Sequence, residues 1–451
     1  MMPTTRIKER QEPATAERLA PLALLLLCDY DRTVPETARH HMDALAGLSR
    51  HRVHRLDLAR RLPREIDLDR FDGVVIHYSL LASLDFLAEE TTLERLAGFR
   101  GIKALFIQDE HRHVLRTRAL LRRLGITVLF TCVPAAEVEK VYPMAELPGL
   151  RKESVLTGYV AQDLVRRTVP PLAGRPVDVG YRARRVPAWL GRLGQEKWQI
   201  GVRFAADAGD HGLICDISHR EEDRLQGEGW VAFLTRCKAV LGSESGSSVF
   251  DWSGGIEQAV TRDALRAPDT SFETLRERYF RDEEDRVRNG QISPRCFEAA
   301  ALRTLMILYE GGYSGVLTPW RHYVPLARNH ANMAEVVAVL RDPARAQAIV
   351  DTAHREIACN DAYSFAAHVG RVDAVLAEEK RTTSAPGYPP SAWAKLARPS
   401  LAYRLHRLKR EMWIIAYRSF FRGALGWLPL ERRDRIHRGL RRWLRPSLPV
   451  R

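Results

Sequence analysis

Residues 293–326 read SPRCFEAAALRTLMILYEGGYSGVLTPWRHYVPL. Helix formers run through 297–303, with one acid, Glu298, near their start. The apolar run 305–308 follows, then an acid–glycine turn, Glu310-Gly311-Gly312. Helix, buried strand and glycine turn in this order predict one helix–strand unit of a parallel α/β sheet. A carboxylate early in a helix can receive the two hydroxyls of a ribose, and a glycine turn lets backbone amides approach a phosphate. Glu298, Glu310 and Gly311 are therefore candidate nucleotide contacts. The plainer reading of the same residues is an ordinary βα unit of any Rossmann-like domain.

The stretch resembles the nucleotide-sugar half-site of GT-B glycosyltransferases, in which a glutamate followed by small residues opens a helix and a short strand and turn come next. It is most similar to bacterial group-1-like glycosyltransferases that read roughly PR-FEAAA-T-ILYEG-YSGVL-P-HYVPL, and the match extends through Asn329–Asn332 into the next helix. The resemblance implies an α/β chain of the GT-B class, with two Rossmann-like domains facing a cleft. It implies transfer of a sugar from a nucleotide-diphosphate sugar to a saccharide or lipid-linked acceptor. No essential metal and no other cofactor are expected; the nucleotide sugar is a co-substrate. Surface polysaccharide or glycolipid assembly is the expected setting.

The chain has 451 residues, a length for two to three domains, and 45% hydrophobic residues, which suits a full core. Net charge is +14. Residues 395–451 hold 16 Lys/Arg against 3 Asp/Glu, a net of +13, leaving +1 for the other 394. The body is thus balanced, unlike a nucleic-acid binder with charge spread over a folded face. Six cysteines without C-x-x-C spacing read as buried thiols of a cytosolic protein. The apolar run 22–28 is short and ends at Asp29-Tyr30-Asp31, so a first strand fits better than a leader. No stretch has the roughly 18 to 20 apolar residues that span a bilayer.

Residues 1–18 are polar and expected to fray. Strands are expected at 22–27, 52–56, 73–77, 103–107 and 127–130, and helices at 35–49, 92–99 and 115–124. This alternation predicts a first domain over 19–165. Prolines and Gly174 mark a break at 166–176. A second domain, 176–380, is expected from strands at 177–181, 199–202, 239–241 and 305–308 and helices at 230–237, 333–340 and 343–357. The charged stretch 251–292 reads as an exposed helical insertion, and 381–394 as a linker.

Glycosyl transfer asks the protein to hold the nucleotide, neutralise the departing diphosphate and handle the acceptor proton. By the resemblance, Glu298 holds the ribose, and an Arg and a Lys early in the second half contact the diphosphate. Arg182 and Lys197 match by location, with Arg184 and Arg185 competing for the first role. Glu244 is placed like the first acid of the family's paired glutamates, although 53 residues separate it from Glu298. Ser245, Gly246, Ser247 and Ser248 form a small-residue loop whose hydroxyls can donate to phosphate, or a plain strand-to-helix turn. His322 matches the family's HY element, and either lines the base or sugar pocket or fixes its loop. In the first half, Asp109 or Glu110 can take the acceptor proton if the reaction inverts, and His77 can bond the sugar; a lone histidine or a loop acid is more often structural or solvated. Asp29-Tyr30-Asp31 and His111-Arg112-His113 are poor metal sites.

Residues 395–451 carry Trp413, Tyr417, Phe420, Phe421 and Trp443 at helical spacing among arginines. They read as a C-terminal basic amphipathic helical tail for an anionic membrane surface, which predicts peripheral attachment at the cytoplasmic face. Packing of the apolar stripe on the body is the competing reading, and nucleic acid a lesser one. Two other classes remain open: a sugar-nucleotide epimerase of the same fold, and a non-catalytic membrane-bound scaffold.

Overall fold

The computed structural model describes residues 20–30, 35–58, 61–84, 89–379 and 385–398, with Leu408 and Met412 beside them. The expected frayed stretch 1–18 and nearly all of the basic tail lie outside the described residues.

The first half is a six-stranded parallel sheet of β1 (Ala23–Cys28), β2 (Arg52–Asp57), β3 (Gly73–Ile76), β4 (Ile102–Ile107), β5 (Val128–Thr131) and β6 (Arg151–Ser154), in the order β2-β1-β3-β4-β5-β6. Its central strands are continuous apolar runs because helices cover both faces; all six residues of β1 are buried. The second half holds β7 (Val177–Arg182), β8 (Cys215–Ser218), β9 (Cys237–Gly242), β10 (Leu305–Tyr309) and β11 (Val324–Leu326), all parallel, in the order β11-β10-β9-β7-β8. Each order reverses beside its first strand, at β1/β3 and at β7/β9. The crevice outside the carboxyl ends at such a reversal is where doubly wound sheets bind ligands.

The carboxyl ends of the two sheets face each other. Cys132, just after β5, receives a hydrogen bond from the Gln291 side chain, and Thr157, after β6, donates to the Ile292 carbonyl. Gly158 allows a close approach: a Cβ there would lie 2.9 Å from Pro294 Cβ. The chain crosses between halves twice, and the crossings are tied by Val160 N–H donating to Tyr363 O at 2.9 Å. Helix Phe365–Glu378 then returns to the first sheet, where Val369, Val372 and Leu376 pack with Leu24, Phe106 and Phe130.

Three expectations need correction. Residues 199–202 are not a strand but lie inside helix Gly191–Ala208, where Ile200, Phe204 and Ala208 recur every four residues on the buried face. The stretch 251–292 is not simply exposed. Helices Gly255–Arg266 and Phe272–Tyr279 turn Val260 and Leu275 inward with Trp189 and Phe280, while Phe250 and Val287 enter the first half's core. Its charges are paired outside, as in Arg281–Glu277 at 2.9 Å, and Glu257 pairs across the halves with Arg112 at 2.6 Å. Residues 385–398, partly assigned to a linker, are docked: Tyr388 and Trp393 pack on Phe71 at ring distances of 5.7 and 6.0 Å.

Candidate functional site

Helix Pro294–Ala301 starts where the halves meet, with proline in its first turn, where no backbone donor is needed. Glu298 lies on its second turn and is half-buried. Oε2 accepts the indole N–H of Trp230 at 2.7 Å; among the described residues Oε1 accepts no hydrogen bond. Burial pushes the Glu298 carboxyl above its usual range, opposed by the Trp230 bond and the Arg295 charge. The Arg295 guanidinium lies over the Trp230 ring at 4.9 Å and donates to the Arg182 carbonyl at 2.5 Å. Trp230 stacks in turn on Phe233, at 5.5 Å. An acid, an aromatic plate and a guanidinium thus share one wall.

Lys197 faces the same space from the second turn of helix Gly191–Ala208. Burial lowers its ammonium pKa to about 8; Asp109 opposes this, while Arg295 and Arg184 add to it. Asp109 belongs to the first half, on the exposed loop after β4. Asp109, Lys197, Arg184 and Arg295 are therefore mutual electrostatic neighbours across the cleft. Arg182 is not presented there as expected. Its guanidinium is held over Phe233 at 4.3 Å, and it donates to Asp216 O at 2.8 Å and Asp216 Oδ1 at 2.7 Å. Arg185 lies over the Trp198 ring, at 4.7 Å.

The loop after β9 does not offer its hydroxyls to a ligand. Ser247 Oγ donates to Val249 O at 2.7 Å and Leu190 O at 3.0 Å. Ser248 Oγ donates to Glu284 at 3.1 Å and accepts from Leu193 N–H at 3.3 Å. Glu284 itself accepts from Arg192 N–H at 2.7 Å, so its carboxylate fills the positive end of helix Gly191–Ala208. Ser245 pairs with Gln291 through both backbone groups. Gly246 sits at φ +108°, and a Cβ there would lie 1.9 Å from Asn289 O. The loop is an internal cap, and its small residues serve close packing against 284–291.

Glu244 also turns inward. Oε1 accepts from Gly312 N–H at 3.1 Å and Tyr313 N–H at 2.8 Å. The amides expected to meet a phosphate near Gly311 are thus held by a carboxylate of the chain itself, and Glu310 alongside is exposed. His322 fixes its loop, the second of its two expected roles. Nδ1 accepts from Thr318 N–H at 3.0 Å, and Nε2 lies 3.0 Å from Glu356, whose carboxyl the Arg321 bond depresses to about 2.

In the first half, Glu110 is buried, accepting from Thr131 Oγ1 at 2.5 Å and Cys132 N–H at 2.7 Å. Burial raises its carboxyl to about 7. It braces the loop after β5, which leaves Asp109 as the exposed acid of the pair. His77 is fully buried and joins a chain of imidazoles. Ser79 N–H donates to His77 Nδ1 at 3.0 Å, so His77 carries its proton on Nε2 and donates to His41 Nδ1 at 2.9 Å. His41 then donates from Nε2 to His368 Nε2 at 2.8 Å. An added proton anywhere in this chain would set one N–H against another, so all three rings are neutral. His77 is fully buried and spends both ring nitrogens on Ser79 and His41. His111 is also held neutral, burial lowering it to about 4. Among the described residues no group of three or more His, Cys, Asp or Glu side chains is arranged to hold a metal ion, and no helix is long and apolar enough to cross a membrane.

The structure therefore gathers Glu298, Lys197 and Asp109 at one cleft and sends Arg182, Glu244, Ser247, Ser248, Glu110, His77 and His322 to internal contacts. It adds Arg295 and Trp230, 65 residues apart, which only the folded chain brings together. No protein-family model and no curated protein matches the chain. Among solved structures it is similar to the DNA-modifying enzyme beta-glucosyltransferase, at 12% identity over 83% of this chain and 99% of that one, with a TM-score of 0.43. Anabaena HepE, solved with UDP-glucose, is similar at 11% identity over 79% of this chain and 98% of its own, with a TM-score of 0.43. An alpha-glucosyltransferase, solved with UDP-glucose and DNA containing an abasic site, is similar at 9% identity over 79% of this chain and 100% of its own, with a TM-score of 0.47.

Proposed function

We propose that this chain is a glycosyltransferase that moves a sugar from a nucleotide-diphosphate sugar to a saccharide or lipid-linked acceptor. One observation carries the reading: Glu298, Trp230, Arg295 and Lys197 from the second half and Asp109 from the first converge where two parallel sheets present their carboxyl ends. Glu298 Oε1, which accepts no hydrogen bond among the described residues, would receive a ribose hydroxyl in this reading. In this reading Arg295 and Lys197 offset the negative charge that grows on the leaving diphosphate, and the partly desolvated setting of Lys197 strengthens the interaction. In the transfer, the acceptor oxygen bonds to the anomeric carbon as the bond to the diphosphate oxygen breaks, and the electron pair leaves with the diphosphate. Asp109 takes the acceptor proton if the reaction inverts; in a retaining reaction the leaving diphosphate takes it.

Glu298→Ala and Glu298→Gln test this reading. Each is assayed for sugar release or transfer from a panel of nucleotide sugars, with melting temperature as the fold control. Activity in Glu298→Ala equal to that of the unmodified chain overturns the assignment. Attachment to the cytoplasmic face of a membrane through 395–451 belongs to the same reading and rests on sequence: the run of arginines and interfacial aromatics. Co-sedimentation of the full chain with anionic vesicles, and not with neutral ones, tests it.

A further inference from the structure

Asp109 sits in the loop between β4 and helix Val114–Leu124, and the first half alone does not complete that loop. Its entry is internal to the first half: Gln108 donates to Thr157 O at 3.3 Å, and Glu110 is anchored on Thr131 and Cys132. Its exit is built by the second half's insertion. Helix Val114–Leu124 has no cap of its own, since His113 stands at φ 50° and its side chain makes no capping bond. The orphan N–H groups of Val114 and Leu115 donate instead to Asp251 O at 3.3 Å and Trp252 O at 3.0 Å. The Asp251 N–H returns to His111 O at 2.8 Å. Gly254, at φ +89°, leaves room for this crossing: a Cβ there would lie 2.1 Å from the His113 ring.

Glu257 closes the exit. Arg112 Nε donates to Glu257 Oε2 at 2.9 Å and Nη2 to Oε1 at 2.6 Å, a two-point fork between side chains only 13% and 9% exposed. Glu257 is itself held, because Asp251 Oδ2 accepts its N–H at 2.8 Å while Oδ1 accepts Gly254 N–H at 2.7 Å. Trp189, on the turn that opens the Lys197 helix, lies under the Arg112 guanidinium at 5.2 Å and beside the His111 ring at 5.9 Å. Asp109, between the two anchored stretches, is exposed, and among the described residues no hydrogen bond holds its carboxylate. Its place is therefore that of its backbone, and both halves set that backbone.

We propose that Arg112 and Glu257 are positioning residues for Asp109: through them the insertion holds the first half's acid against the half that binds the nucleotide. This rests on the glycosyltransferase reading and adds residues that act through Asp109. Such an acid must be held closely, since a misplacement of about 1 Å can cost on the order of a hundredfold in rate.

The readout is Lys197, whose ammonium has Asp109 as its opposing charge and Arg295 and Arg184 as like ones. The charged groups around His111 are Asp109, Arg112, Lys197 and Glu257, and burial keeps that ring neutral above its pKa of about 4. The affinity of the full chain for whichever of UDP, GDP, ADP, CMP and dTDP binds is measured across the Lys197 titration, and the midpoint of its decline follows Lys197. Asp109→Asn should move that midpoint down by about one pH unit, the scale of one close opposite charge. Loss of the Arg112 cation by itself would move it up, whereas displacement of Asp109 moves it down. Arg112→Gln is therefore expected to lower the midpoint by at least half the Asp109→Asn shift, and to cause no further fall in a chain already carrying Asp109→Asn. Arg112→Gln combined with Glu257→Gln strands no carboxylate and should show the same fall, so it is read where the single variant unfolds. A midpoint unchanged or raised in the paired variant, one unchanged by Asp109→Asn, or a further fall in the Asp109→Asn background would overturn the positioning role while nucleotide binding stands. No binding, or a flat profile in the unmodified chain, would instead overturn the reading on which the proposal rests, and the proposal with it.

Discussion

Lys197 titrates within reach of a binding experiment. Its ammonium has a pKa of about 8 because burial between the halves disfavours the charge, with Asp109 only partly compensating. A diphosphate beside it would favour the charged form. About nine-tenths of the side chain is protonated at pH 7 and about one-tenth at pH 9, so nucleoside-diphosphate affinity should fall about tenfold between them, or about 1.4 kcal/mol. The affinity is present below the lysine's pKa and declines as pH rises through it. Isothermal titration from pH 6.5 to 9.5, in buffers of different ionisation enthalpy, reads both the slope and the proton uptake, which should approach one per ligand at pH 9. Lys197→Arg stays charged throughout and should flatten the profile. The same slope in Lys197→Arg, or a flat profile in the unmodified chain, refutes the role given to this residue.

Further outcomes follow from named contacts. Glu298→Ala leaves the half-buried Trp230 indole without its acceptor and removes the ribose acceptor, so it should lose most activity while a folded far-ultraviolet spectrum persists; Glu298→Gln, which keeps an oxygen for Trp230, should retain the melting temperature of the unmodified chain. Gly246→Ala drives a Cβ into Asn289 O and should destabilise the fold by at least about 3 kcal/mol in denaturant titration. His41 has its pKa lowered to about 3 by burial, below the ordinary 6.5. Its contribution to stability is fully present above pH 6.5 and is lost as pH falls towards 3, so the melting temperature should decline between those limits. A chain ending after Arg398 should melt like the full chain. One ending at Glu379 loses Tyr388 and Trp393 from Phe71 and should melt about 5 °C lower.

The sheet cores were legible because parallel strands buried on both faces must be apolar: β1, β3, β4, β5, β9 and β10 are near-continuous Val, Leu, Ile and Ala runs. The three strands without a sequence signal are all at sheet edges or next to short partners. β6 reads RKES, β8 CDIS and β11 VPL, and an edge strand needs neither length nor hydrophobicity. Residues 199–202 misled because a short apolar run suits a strand or a buried helical turn equally; only the four-residue recurrence to Ala208 decides it. The site was half legible. Glu298 could be placed from local order, near the start of a helix that leads into a buried strand, whereas Lys197 was marked by the resemblance alone, the residues after it having been read as a strand. The serine loop could not: its composition suits phosphate or a helix cap, and the choice depends on Glu284, far along the chain. Arg295 was in plain view beside Glu298, yet its role depends on Trp230 and Lys197, which tertiary packing alone brings near.

We infer a nucleotide-sugar site at the Glu298 wall. Its most direct test is isothermal titration of the full chain, with EDTA present, against UDP, GDP, ADP, CMP and dTDP, repeated in Glu298→Ala and Arg295→Ala. One nucleotide should bind selectively, with binding abolished by the first variant and weakened at least tenfold by the second. Binding of none of them, or binding that survives both substitutions unchanged, would contradict it.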